Sequence, residues 1–156
     1  MYYRRAILVL RSVSRFFNLS EAENLLPEVE RILRRLIQSK REYDEADEEL
    51  TRLTQHIALM GGTVPPREEM QQLRLRKDGA ARNLKSMVER IQEIGCELKD
   101  LDLGLIDFPT FYRGEHVYLC WKLGEPKIAF WHSLDAGFRG RRPIDSDFLA
   151  NHSGEK

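Results

Sequence analysis

The chain has 156 residues, enough for one domain with a real apolar core. Its 25 Lys and Arg balance 25 Asp and Glu, which excludes a whole-chain field for nucleic acid or anionic membrane and leaves only local patches for such partners. Two cysteines, Cys96 and Cys120, give neither a disulfide framework nor a metal-ligand spacing, and the apolar run 6–10 is too short for a signal-peptide core or a bilayer span, so reduced thiols in a soluble, cytoplasmic chain are expected.

Residues 1–16 match nothing downstream in style and read as a flexible arm. Asn18-Leu19-Ser20-Glu21 is a helix start, because Asn18 can accept from first-turn N–H groups while Glu21 reaches back in a capping box. Pro27 falls inside the pattern and is expected to kink or break helix 1, which otherwise spans 17–60. From Val29 the apolar positions Ile32, Leu36, Tyr43, Ala46, Leu50, Leu53, Ile57 and Met60 follow at alternating steps of three and four, with Ser39 the off-type slot, and this is a heptad seam. The linker 61–66, with paired glycines and paired prolines, ends one helix and starts the next. Met70, Leu73, Ala80, Leu84, Met87, Ile91 and Ile94 form the second seam over 67–94, with Lys77 off type and Gly95 as the stop. Residues 20–60 carry ten acidic and six basic side chains, and 67–90 carry four and seven, a segregation that suits two helices packed side by side.

Beyond Gly95 the period shortens. Leu105 to Phe111 and Val117 to Trp121 flank Arg113-Gly114 as a hairpin, Ile128 to Trp131 reads as a third strand and Cys96 to Leu101 as a fourth. The expected fold is therefore α+β: a long antiparallel helical hairpin, coiled-coil-like, followed by a small antiparallel sheet of three to four strands over 96–144. One domain over 17–144 is expected, with a flexible tail at 145–156. Broad apolar strips such as Ile32-Leu33 and Leu36-Ile37 want more cover than one partner helix supplies, which points to a homodimer whose two hairpins make a four-helix bundle.

Chemically expensive residues crowd into the block Leu101 to Pro143: Asp107, Trp121, Glu125, Trp131, His132, Asp135, Arg139 and Arg142 are the candidate ligand- or partner-binding set. His132 and Asp135, three apart, read either as a proton donor or ligand with its orienting acid, or as a loop histidine beside a turn. A metal would need three or four converging ligands; Asp102, Asp107, Glu125, His132 and Asp135 offer the atoms, but no spacing specifies a centre. Arg139 to Arg142 can grip an anion, or can pair with these carboxylates and lock the chain to the sheet. Both tryptophans can stack a planar ligand or fill the core. No phosphate loop, nucleophile elbow or Cys–His spacing accompanies them, so no catalytic residue and no cofactor is expected.

Two strings carry a resemblance. They are 17–27, from Phe17-Asn18-Leu19-Ser20-Glu21 to Pro27, and a C-terminal run in three pieces, 99–109 (Lys99-Asp100-Leu101-Asp102 to Ile106-Asp107-Phe108-Pro109), 117–125 (with Cys120-Trp121) and 128–141 (Trp131-His132 to Gly137-Phe138-Arg139-Gly140-Arg141). Over 17–144 the chain resembles the bacterial family catalogued as domain of unknown function twenty-two-oh-three, sometimes labelled division-initiation-like. The resemblance implies a helical front with this tail and brings no established activity. Three readings follow: a non-enzymatic helical-hairpin interaction or scaffold protein, homodimeric and with an unknown protein partner; a small-ligand or metal-binding domain using the candidate cluster; and, third, a nucleic-acid accessory acting through Arg139 to Arg142.

Overall fold

A computed structural model describes residues 15–61 and 66–156. The expected N-terminal arm lies outside them except for Arg15 and Phe16, and so does the linker except for Gly61 and Pro66. In chain order the elements are α1 (Leu19–Leu59), α2 (Arg67–Ile94), β1 (Glu97–Asp100), β2 (Leu105–Tyr112), β3 (Glu115–Lys122), β4 (Phe130–Ser133), a 3-10 turn (Phe138–Gly140), β5 (Arg142–Pro143), α3 (Ser146–Asn151) and β6 (His152–Ser153). The fold is α+β, a helical hairpin followed by an antiparallel sheet. Strand order is β1-β2-β3-β4-β5, with β6 also on β2. The sheet thus has six strands where three to four were expected. The additions, β5 and β6, are two residues each and leave no periodicity to read.

The capping box forms as its residue types dictate: Asn18 Oδ1 accepts from Glu21 N at 2.9 Å, and Asn18 N donates to Glu21 Oε2 at 2.9 Å. The expected break at Pro27 is absent, since α1 runs through it. Proline costs the helix one backbone bond, and Ala22 and Val29 on either side of it are fully buried. Gly95 closes α2 at φ +96°, and a β-carbon there would meet Arg15 Cβ at 2.9 Å, so both conformation and space require glycine.

Compactness divides the 17–144 stretch, read from sequence as one domain, into two units: the chain to Glu30 with Arg90–Lys156, and Arg31–Glu89. The second unit holds the outer arms of the hairpin. Asp47 pairs with Lys77 at 2.6 Å and Glu49 with Arg76 at 3.6 Å, numbers rising on one arm as they fall on the other, which is the antiparallel arrangement. Ile32, Leu33, Leu36, Ala46, Leu73 and Ala80 are its buried apolar residues. Lys77 occupies its off-type slot by laying its stem in the seam: its ammonium reaches Asp47 and sits 5.3 Å from the Tyr43 ring centre.

In the first unit, Arg113 (φ 52°) and Gly114 (φ 80°) make a two-residue turn with both residues left-handed, which fixes the β2–β3 register. Directly paired residues share a face. One face carries Ile106, Phe108, Leu119 and Trp121, all at most 1% exposed, and they share the core with Phe17, Ala22, Val29, Ile91 and Ile94. The stretch after Pro143, expected to be loose, is structured. Asp145 caps α3 through Phe148 N, Phe148 is 1% exposed and stacks on Tyr112 and Trp131, and β6 pairs with β2. One buried aromatic suffices to dock a segment whose composition is otherwise polar.

Candidate functional site

The opposite face of the sheet carries the chemistry. Asp107 on β2 lies directly across from Cys120 on β3, and His132 on β4 lies across from Tyr118. All are interior, with Asp107, Cys120 and His132 at 1–3% exposure. A carboxylate and an imidazole at that depth must satisfy one another. His132 Nε2 is 3.0 Å from Asp107 Oδ2, and Nδ1 is 2.8 Å from the Ser133 carbonyl. The carbonyl can only accept, so Nδ1 carries a proton. The Nε2–Asp107 contact then requires a second proton, and the pair as a whole holds one more than a neutral imidazole beside a carboxylate. Burial pulls the His132 pKa down, but the bonds to Asp107 and Ser133 outweigh it and the net shift is upward.

Cys120 completes the group. Its sulfur, an Asp107 oxygen and a His132 nitrogen lie within 4.8 Å of one another. Burial first, then the adjacent Asp107 charge, push its thiol up to about 12. It is therefore a protonated thiol at neutral pH, the opposite of an activated nucleophile. A polar rim continues along the same face: Tyr118 OH donates to Glu97 Oε1 at 3.0 Å, and the Lys99 ammonium sits 4.4 Å from the Tyr118 ring centre. The His116 ring packs between Phe16 and Tyr118, and its Nε2 is buried with no partner among the described residues.

A second network joins Glu125 to Arg141. Arg141 Nη1 donates to Glu125 Oε1 at 2.7 Å, Lys122 N donates to Glu125 Oε2 at 2.9 Å, and Trp121 Nε1 donates to the Glu125 carbonyl at 2.9 Å. The Arg141 guanidinium also lies 4.3 and 4.2 Å from the ring centres of Phe130 and Phe138. With one nitrogen on Glu125 and the guanidinium between two rings, Arg141 acts as a lock on the chain more than as an anion grip.

Of the candidate residues, then, Asp107 and His132 meet, and Glu125 is half-buried in the Arg141 lock. Trp121 is core and Trp131 stacks with Tyr112 and Phe148. Asp135 and Arg139 are exposed on the segment after β4, so Asp135 is not the partner of His132. Arg142 is exposed, 5.4 Å from the Trp131 ring centre. Sequence reasoning passed over Cys120, Tyr118 and Glu97. An open groove of about 690 Å³ lies elsewhere in this unit, lined by Phe16, Asn18, Glu21, His152 and Gly154. Two of its helix-start donors are taken, Glu21 N by Asn18 and Leu19 N by His152 Nε2, and Glu21 adds a carboxylate, so it offers an anion little.

Comparison with known protein families matches residues 15–144 to the uncharacterized conserved protein family DUF2203. The chain belongs to that family. No curated protein and no solved structure matches it. The match spans both helices and the sheet as far as Ile144, so the His132 cluster and the Glu125–Arg141 lock both fall within the DUF2203 region, and α3 and β6 lie beyond it. No described helix is long and apolar enough to cross a membrane.

Proposed function

We propose that this DUF2203 protein is a non-enzymatic interaction module of the bacterial cytoplasm, homodimeric through the outer arms of its helical hairpin. One observation carries the reading. The heptad seam is closed over Ile32 and Leu36 but is only half-buried at Leu50, Leu53 and Ile57 on α1 and at Met70, Leu84 and Met87 on α2, and it ends in Met60 at 58% exposure. Two helices alone bury one stripe each, and seams that continue past what one partner covers are those of four-helix bundles. Charge supports a second copy as the occupant. Glu45 and Glu48 are exposed on α1, Arg74 and Arg82 on α2, and a two-fold arrangement lays the acidic helix of one copy along the basic helix of the other. Area supports it too. Arms about 35 Å long and about 20 Å across two helices present on the order of 700 Å², close to the ~800 Å² per partner of a stable interface.

Sedimentation equilibrium over a concentration series tests the reading. The expected result is a dimer that Leu53→Glu dissociates. Met60→Glu, at an exposed seam position where the hairpin's own core is not disturbed, weakens the dimer while helicity stays unchanged. A monomer at every concentration, or a dimer indifferent to both substitutions, refutes it.

A further inference from the structure

Three donor atoms from three adjacent strands converge on one buried point: the Asp107 carboxylate of β2, the Cys120 thiol of β3 and the His132 imidazole of β4. The sheet register sets this convergence, so the donors are held by backbone ladders on both sides. His132 is also fixed from behind. Its Nδ1–H is spent on the Ser133 carbonyl at 2.8 Å, which leaves the Nε2 lone pair aimed at Asp107 Oδ2, 3.0 Å away. That is the orientation in which metal-binding histidines are held, with the far nitrogen on a backbone carbonyl or carboxylate.

A lone pair and a carboxylate oxygen come this close in a buried place only with an electrophile between them. A proton between His132 and Asp107 joins only two of the three donors, and the Cys120 thiol then stays protonated and bonds the same Asp107 carboxylate. A divalent cation uses all three, and the carboxylate and thiolate together neutralise its charge. The space fits. Atoms no more than 4.8 Å apart, two of them 3.0 Å apart, admit one ion within about 2.5 Å of each, against ~2.0–2.3 Å for bonds to Zn²⁺. One nitrogen, one oxygen and one sulfur are a borderline donor set, unsuited to Mg²⁺ or Ca²⁺, which take oxygen.

We infer that Asp107, Cys120 and His132 form a structural site for a single divalent cation of the Zn²⁺ class, tying β2, β3 and β4 together. Occupancy releases two protons to solvent, one from the Cys120 thiol and one shared by His132 and Asp107. The fourth tetrahedral position falls to water, and the burial of all three ligands makes the site a clamp on the sheet in place of an open catalytic centre. Nothing in this assignment depends on dimerisation.

The test uses chelator-stripped, full-length protein titrated with Co²⁺. The expected result is one equivalent bound, with the intense visible bands of a tetrahedral centre and a thiolate-to-cobalt charge-transfer band in the near ultraviolet, together with a higher thermal midpoint on adding Zn²⁺. The chain has two cysteines, so the thiolate can be assigned twice over. Cys96→Ala keeps the charge-transfer band, and Cys120→Ser loses it. If Cys120→Ser fails to fold, retention of the band in Cys96→Ala still assigns it. Absence of the band from wild-type protein, its loss in a folded Cys96→Ala, or its survival in Cys120→Ser overturns the proposal.

Discussion

Replacing His132 by phenylalanine in metal-free protein is the sharpest test of how the sheet is held. The His132 and Asp107 side chains are each 3% exposed and 3.0 Å apart. His132→Phe keeps the volume and leaves the Asp107 carboxylate interior without its main partner. Breaking a buried pair from one side costs about 3–5 kcal/mol, a large share of the ~5–15 kcal/mol that holds a typical domain together. At ~2–4 °C per kcal/mol for a chain of this size, the thermal midpoint falls by roughly 6–20 °C. Adding Asp107→Leu removes the stranded charge, and the double variant returns to within about 1 kcal/mol of wild type, because a well-packed apolar pair replaces a buried ionic one at little cost. The assay is urea unfolding of the wild type, both single variants and the double variant, read as a coupling energy. The pH dependence has a definite sign. The pKa of His132 is raised in the folded state, so the pair's contribution is fully present below the ordinary value of 6.5 and is lost as pH rises through the folded value. Strictly additive single effects, or a coupling that grows with rising pH, would refute the reasoning.

His116 titrates in the opposite sense. Burial lowers its pKa from 6.5, and its Nε2 has no partner among the described residues, so stability present above 6.5 is lost as pH falls, and His116→Phe flattens the acid limb of a stability–pH curve. Phe148→Ala removes the aromatic that docks α3 on Tyr112 and Trp131; it costs about 3–5 kcal/mol at a fully buried site and deprotects the β6–β2 amides in hydrogen exchange, whereas amides unprotected already in the wild type would contradict the docking.

How much was legible depends on whether a feature was local. Asn18 and Glu21 announced the start of α1 because a capping box lies within four residues, and α2 was read at 67–94 because its seam, Pro66 and Gly95 agree. The Arg113-Gly114 turn was legible too, and it held more than was taken from it. Counting outward from a two-residue turn pairs Tyr112 with Glu115 and, five steps on, Asp107 with Cys120. That count was the available signal for the cysteine's role. The partner of His132 was beyond reach, because the β3–β4 connection, from Leu123 to Ala129, is too long to fix a register by turn chemistry. Sequence proximity offered His132 only Asp135, which is exposed, while its partner Asp107 lies 25 positions away. The arginines fared similarly. Adjacent in sequence, Arg139, Arg141 and Arg142 differ in fate, and only Arg141 reaches Glu125. At Pro27 the proline leaves α1 unbroken, as a single helix through that position requires.

The central claim is that the outer hairpin pairs with a second copy, and native mass spectrometry of the full-length protein weighs it most directly. The account predicts a dimer at twice the 18.3 kDa chain mass, which Met60→Glu shifts toward monomer with helicity intact. A wild-type spectrum showing only the 18.3 kDa monomer at micromolar concentration would contradict it.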